Sequence, residues 1–360
     1  MKRLFAWVAL APVVLAPAAV LAATLSPGVA QDNAALTPEL AYVSIRTGDA
    51  HIYTRGALGA EHMVTQGKGV NTQPALSGSG RLAFTSRVGA YTKVFVGDES
   101  GTGLQRLTAV EDSIENSPSW APDGKSVAYL SLNPVTGAVD LRITDITTRA
   151  TTVVSGGGKI KGPAAATWSA DGKRLAFMGS PSSRSRHVWV VERDGSNLRN
   201  ISEKFAQRGG GYASLSPDGS QVVWSADLRE RATHIVVTTL ATGATQDLTP
   251  DAVAGHESPR WSPDGKQIVF ASTRDDTSGA RTDIFVMNAD GSRLRNLSQN
   301  KAENFDPKWS ADGQRIVFAS LRTGTSLLYE VGLTDGVTRP LGQHLSHDMD
   351  HATRPVALLR

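Results

Sequence analysis

The 360-residue sequence has no cysteine. Disulfides, thiolate metal sites and cysteine nucleophiles are therefore excluded. So is a lipid anchor on a cleaved export signal, which needs a cysteine at the cut. Long apolar runs are almost as scarce. One stretch, from Leu4 to Leu25, is predominantly apolar, and Pro12 and Pro17 interrupt it. No other segment approaches the ~20 apolar residues that a spanning helix requires, so no membrane span is expected. A dominant charge is lacking too. The chain has 37 Lys and Arg against 34 Asp and Glu, and Lys2 and Arg3 supply two of its three excess positive charges. No basic run is interleaved with aromatics, so nucleic acid is not expected as a partner.

The apolar stretch itself reads as a leader. A short positive start, Met1-Lys2-Arg3, precedes it, and small residues follow it, which is the pattern of a secretory signal over residues 1–30 cut after Ala22 or Ala30. Residues 31–39 then form a linker and residues 40–360 one folded domain. Such a product is periplasmic or secreted, and its stability comes from packing alone.

What the sequence has in abundance is one repeated phrase. Its clearest copies run from Ser258 to Ser272 (SPRWSPDGKQIVFAS) and from Asp306 to Ser320 (DPKWSADGQRIVFAS). Others centre on Trp120/Asp123/Gly124, Trp168/Asp171/Gly172, Asp218/Gly219 and Leu76/Ser79/Gly80. The aromatic that closes each copy recurs at Tyr42, Phe84, Tyr129, Phe177, Trp224, Phe270 and Phe318, at intervals of 42 to 48 residues. Each unit holds four short runs rich in β-branched and aromatic residues, bounded by Gly, Asp, Asn, Ser or Pro, which marks strands and turns. Asp264-Gly265 and Asp290-Gly291 join runs in pairs, as in antiparallel hairpins. Four antiparallel strands every ~40–50 residues make a propeller blade, so the class is all-β, a β-propeller.

The two ends set the blade number. Leu40-Ala-Tyr-Val-Ser matches a second strand with no first strand ahead of it. Pro355-Val-Ala-Leu-Leu stands 48 residues after Pro307 and matches a first strand. One blade shared between the termini closes the ring at seven blades; six blades and a free tail is the alternative. The repeated tryptophans at 120, 168, 261 and 309 are expected in the core, and the Asp of each Asp-Gly in a turn.

The phrase, with its continuation Asp-Gly-Ser-x-Leu-x-x-Leu at Asp194 and Asp290, resembles the repeat of TolB-type periplasmic propellers over residues 40 to 358. Similar repeats occur in TolB, in the propellers of prolyl-oligopeptidase-like enzymes and in oligogalacturonate-lyase-like proteins. The resemblance implies an exported scaffold or accessory factor of the cell envelope. It would act as a monomer on a protein or peptide partner, for which a peptidoglycan-associated lipoprotein is one possibility. TolB-type proteins carry an α/β domain ahead of the propeller, where this chain has only the linker. The peptidase relatives carry a hydrolase domain, and no Gly-x-Ser-x-Gly occurs here. Catalytic residues and cofactors are accordingly not expected.

Chemically rich residues gather where the second-to-third and blade-to-blade connections meet around the channel mouth. Glu115, Asn116, His256, Glu257, Asn304 and Asp306 fall ahead of first strands, and Arg274 and Arg322 fall after second strands. Together they suit a charged docking surface, although the recurrence of the arginines also suits bridges between neighbouring blades. His347, Asp350 and His351 form a weaker candidate for a metal site. With His256 and an arginine they would serve the alternative function, a metal-dependent enzyme acting on acidic oligosaccharides.

Overall fold

The structure, a computed structural model, describes residues 38–353 apart from 57–58, 68, 182–184, 207–208, 230–231, 251–253, 277, 280, 300–301 and 342–347. The leader and most of the linker lie outside the described residues. The fold grows from its turns. In the Asp-Gly turns, Oδ1 of Asp123, Asp171, Asp218, Asp264 and Asp312 accepts the backbone N–H two residues on, at 2.9–3.1 Å. The glycine that follows sits at φ 65° to 71° in all five, a left-handed conformation that a side chain disfavours. In four of the five a serine two residues ahead completes the turn: Oγ of Ser169, Ser216, Ser262 and Ser310 donates to the aspartate and accepts the N–H five residues on. These aspartates are turn residues.

Seven four-stranded antiparallel sheets result. The described chain starts with β1 (Pro38–Ser44), β2 (His51–Gly56) and β3 (Glu61–Met63). Blade 2 is β4 (Asn71–Leu76), β5 (Arg81–Val88), β6 (Tyr91–Asp98) and β7 (Gln105–Arg106). Blade 3 is β8 (Ile114–Trp120), β9 (Ser126–Leu132), β10 (Val139–Asp145) and β11 (Thr151–Val153). Blade 4 is β12 (Lys161–Trp168), β13 (Arg174–Ser180), β14 (His187–Glu192) and β15 (Arg199–Asn200). Blade 5 is β16 (Gly210–Leu215), β17 (Gln221–Arg229), β18 (Ala232–Thr239) and β19 (Thr245–Asp247). Blade 6 is β20 (His256–Trp261), β21 (Gln267–Ser272), β22 (Asp283–Asn288) and β23 (Arg295–Asn296). Blade 7 is β24 (Asn304–Trp309), β25 (Arg315–Ser320), β26 (Leu327–Gly332) and β27 (Thr338–Pro340). The last strand, β28 (Asp348–Thr353), pairs with β1 and completes blade 1. The ring therefore closes with three strands from the front of the chain and one from the back.

The closing strand is not the expected one. Ala352 pairs with Ala41 as Lys308 pairs with Val317, so the last repeat is offset by 44 residues rather than the 48 implied by the proline spacing. Pro355 to Leu359 lie outside the described residues. Asp348 to His351, expected in a blade-to-blade loop, instead occupy a strand, because β1 offers its open edge there.

Seven clusters of buried apolar side chains fill the seven gaps between neighbouring blades. Phe84 and Leu82 meet Val43 and Ile52 between blades 2 and 1. Leu40, Tyr42 and Tyr53 meet Val317, Ala319 and Leu328 between blades 1 and 7. Each blade is thus buried only against its neighbours. Trp120, Trp261 and Trp309 are buried as expected, and Trp168 is half-buried. The indole N–H of Trp120, Trp168 and Trp309 reaches the inner strand of the preceding blade, donating to Ala75 O, Ser119 O and Arg260 O at 3.1–3.2 Å. No helix occurs among the described residues, and none is long and apolar enough to cross a membrane.

Candidate functional site

The first strand of every blade lines a central cavity of about 620 Å³. Each of these strands is interrupted by a register shift. In blades 2 to 7 a non-glycine residue occupies the break with positive φ: Gln73, Ser117, Ala165, Tyr212, Ser258 and Asp306, all between 49° and 55°. In four of them a proline follows, at 74, 118, 259 and 307. A bulge leaves a ladder position unpaired, and proline has no N–H to orphan there. The proline of the repeated phrase is therefore a bulge residue, and the bulge turns the residue before it toward the channel. Ser117 N–H, for example, is taken up by the Gln73 side chain of the neighbouring blade at 2.8 Å.

An antiparallel meander fixes which connections share a face. First-to-second and third-to-fourth turns lie on one side, where the Asp-Gly turns are. Second-to-third loops and blade-to-blade connections lie on the other, the mouth face. The cavity runs from the bulges to Pro122, Pro217 and Pro263 of the Asp-Gly turns, so it occupies the half of the channel away from the mouth.

The residues expected at the mouth divide into three groups. Glu115, His256 and Asn304 are almost fully buried. Glu115 accepts from Val94 N–H and from the Ser113 and Thr108 hydroxyls, and lies 4.0 Å from the buried Lys93. Lys93 in turn donates to the carbonyls of Val110, Glu111 and Ser113, while burial pushes its ammonium down. His256 Nδ1 bonds the Ser272 hydroxyl at 2.8 Å, and its ring meets Phe270 edge-on. Burial, Arg274 and His234 push His256 down to about 4. Asn304 ties Thr282 O, Asp283 and Ala302 O together. Glu115 and Asn304 hold neighbouring blades together, whereas the His256 side chain packs within its own blade. In β8, Asn116 is half-buried and accepts from Ser117 Oγ.

Arg322 is a stacking residue. Its guanidinium lies 4.0 Å from the Tyr329 ring centroid and 5.5 Å from that of Phe318, with Nε on Ser320 Oγ. Arg46 repeats this in blade 1, 3.7 Å from the Tyr53 centroid and paired with Glu61 at 2.7 Å. All three aromatics belong to the arginine's own blade, so neither stack is the expected bridge between blades.

Glu257, Asp306 and Arg274 remain accessible. Arg274 is exposed on the loop after β21. Glu257 is half-buried, and burial with Glu303 nearby pushes its carboxyl up. It has no ion-pair or hydrogen-bond partner among the described residues. Burial pushes Asp306 up, but Lys308 at 2.9 Å, with His351 and Arg260 nearby, outweighs it and holds the carboxyl far below its usual range. Tyr212, exposed on the neighbouring inner strand, shares this sector: its phenol is raised by burial and by Glu257 and Asp306.

Of the metal candidates, His347 and the side chain of Asp350 lie outside the described residues. His351 is fully buried in β28, 3.6 Å from Asp306, and burial pushes it down to about 3. Among the described residues no three His, Asp or Glu side chains are grouped to hold a metal ion.

Sequence reasoning missed the exposed apolar residues of the mouth face. Val70, Val110, Val135 and Leu321 sit in second-to-third loops or blade-to-blade connections, and Val88 ends β5 beside such a loop, at 39–89% exposure. The Asp-Gly face contributes Val337. Their signal was available, as apolar residues inside segments otherwise polar, but only the topology collects them on one side.

Fold and site together define a closed seven-bladed propeller with a lined channel. The chain belongs to the TolB β-propeller domain family (PD40), whose model matches residues 19–232 and 212–354. An uncharacterized protein of Agrobacterium fabrum is 29% identical over 162 residues, 42% of this chain and 52% of that protein. The matched segment thus spans about half of that relative. TolB from Acinetobacter baumannii superposes with a TM-score of 0.57 at 17% identity, over 85% of this chain and 79% of its own. An oligogalacturonate lyase solved with manganese gives 0.65 at 16% identity, over 82% and 86%. Likeness at this identity shows a shared fold.

Proposed function

We propose that this protein is an exported propeller that docks a protein or peptide partner of the cell envelope on its mouth face. The observation that carries the reading is the exposure of Val70, Val88, Val110, Val135 and Leu321 on that face, on blades 1 to 3 and 7, with the polar sector of Tyr212 and Glu257 on blades 5 and 6. Exposed apolar residues rimmed by charge are the usual mark of a protein-binding surface. Glu257 adds specificity, because a half-buried carboxylate without a partner among the described residues favours a Lys or Arg supplied from outside. The leader pattern and the TolB-type repeat support export to the periplasm.

The test is partner capture from envelope extracts with Val135→Asp, Leu321→Asp and Glu257→Gln combined. Capture is expected to fall at least tenfold while the melting temperature stays within a few degrees, since substitutions on exposed surface cost little. The control combines Lys266→Glu and Gln314→Glu on the Asp-Gly face and should capture normally. Loss of capture in the control, with normal capture by the mouth variant, would place the surface on the wrong side. Turnover of oligogalacturonate only with added manganese would favour the enzyme reading instead.

A further inference from the structure

The cavity behind the mouth has a chemistry of its own. Its wall is largely apolar, built from tryptophans, prolines and alanines of the inner strands. Among the described residues its lining contains two cations, Arg260 and Lys308, and no carboxylate. The two cations are not equivalent. Lys308 is engaged, ion-paired to Asp306 at 2.9 Å and donating to the His351 carbonyl. The Arg260 guanidinium has no hydrogen-bond or ion-pair partner among the described residues, although it is half-buried. Its charge reaches Asp306, yet its five-donor fork stays open to the cavity and is free to take a planar anion.

The same wall holds a second unused donor. In blades 3, 4 and 7 the repeated tryptophan donates its indole N–H to the preceding inner strand. In blade 6 the Trp261 Nε1 is buried and has no partner among the described residues. Blade 6 thus departs from the other tryptophan-bearing blades at Trp261, next to an Arg260 that lines the cavity without an ion pair among the described residues.

We propose that this cavity binds the carboxylate of an amphipathic ligand, with the carboxylate on Arg260 and the apolar body against the tryptophan and proline wall. Arg matches a carboxylate with two parallel hydrogen bonds, and a largely apolar pocket with a few convergent polar groups is how small-ligand sites are built. At about 620 Å³ the space suits either a free aromatic acid or the C-terminal residue of a peptide. The site lies in the channel half away from the mouth, so it does not depend on the docking surface proposed above.

The experiment titrates the full mature chain, followed by tryptophan fluorescence, with 3-phenylpropionate and acetyl-Leu-Phe, each as free acid and as amide. The free acids are expected to bind at least tenfold more tightly than the amides. Arg260→Gln should lose that preference, while the surface control Arg339→Gln keeps it. Tighter binding of the peptide acid than of phenylpropionate would assign the site to a peptide terminus, and equal binding to a small acid. No binding by either acid overturns the proposal. So do equal affinities for acid and amide, or an acid preference that survives in Arg260→Gln. The acid-against-amide comparison is made on the unmodified chain, so a poorly folded variant leaves the test intact.

Discussion

Histidine chemistry at single positions gives this fold a definite pH response. Burial keeps His256 and His351 neutral, with pKa values near 4 and 3 against 6.5 for the free side chain. The unfolded chain therefore binds protons below pH ~6.5 that the folded chain refuses, so stability falls as pH drops toward 4. Each histidine contributes a slope of at most about 1.4 kcal/mol per pH unit in that window. Urea unfolding between pH 4 and 8 should show stability constant above pH 7 and declining below it, with the slope reduced by about one proton in His256→Asn. A pH-independent midpoint from 4 to 6.5 would mean that the two rings titrate freely.

At the scale of the strand, the closure of blade 1 is the point most open to attack. β28 supplies the fourth strand of a blade whose other strands come from the opposite end of the chain, and only β1 pairs with it. Deleting residues 348–360 should lower the melting temperature by ten degrees or more and expose β1 to β3 to proteolysis. A truncated chain that melts like the parent would show that the ring does not need this strand. The location of the strand also marks the limit of what the sequence discloses. Period, turn chemistry and blade count follow from the repeated Ser-Pro-Asp-Gly and its closing aromatic, because every copy solves the same turn and bulge problem. β28 has neither the tryptophan nor the Asp-Gly, so only its pairing with Leu40 to Ser44 identifies it. The site was legible only in part for a related reason. Glu115, His256 and Asn304 are polar residues near strand starts, and sequence cannot tell a buried bond within or between blades from an exposed contact. Glu257 and Asp306 have the same sequence character, and their accessibility comes from the bulge geometry. Arg260 was overlooked because it sits inside the repeated phrase, where a structural role is the natural reading.

For the whole molecule, a ring of seven like blades has two unlike faces. The Asp-Gly face is made of turns whose side chains are committed to their own backbone, which leaves little free to vary. On the mouth face the connections differ in length and composition, and the exposed apolar residues collect there. The channel joins the faces, with Tyr212, Glu257 and Asp306 toward the mouth and the Arg260 cavity beyond them. The most direct measurement is site-specific photo-cross-linking in the cell, with the photoreactive residue placed in turn at Val88, Val135, Leu321, Lys173 and Gln314. Docking on the mouth face requires adducts to one envelope protein from the first three positions and none from the last two. Adducts from Lys173 or Gln314, with none from the mouth positions, would contradict it.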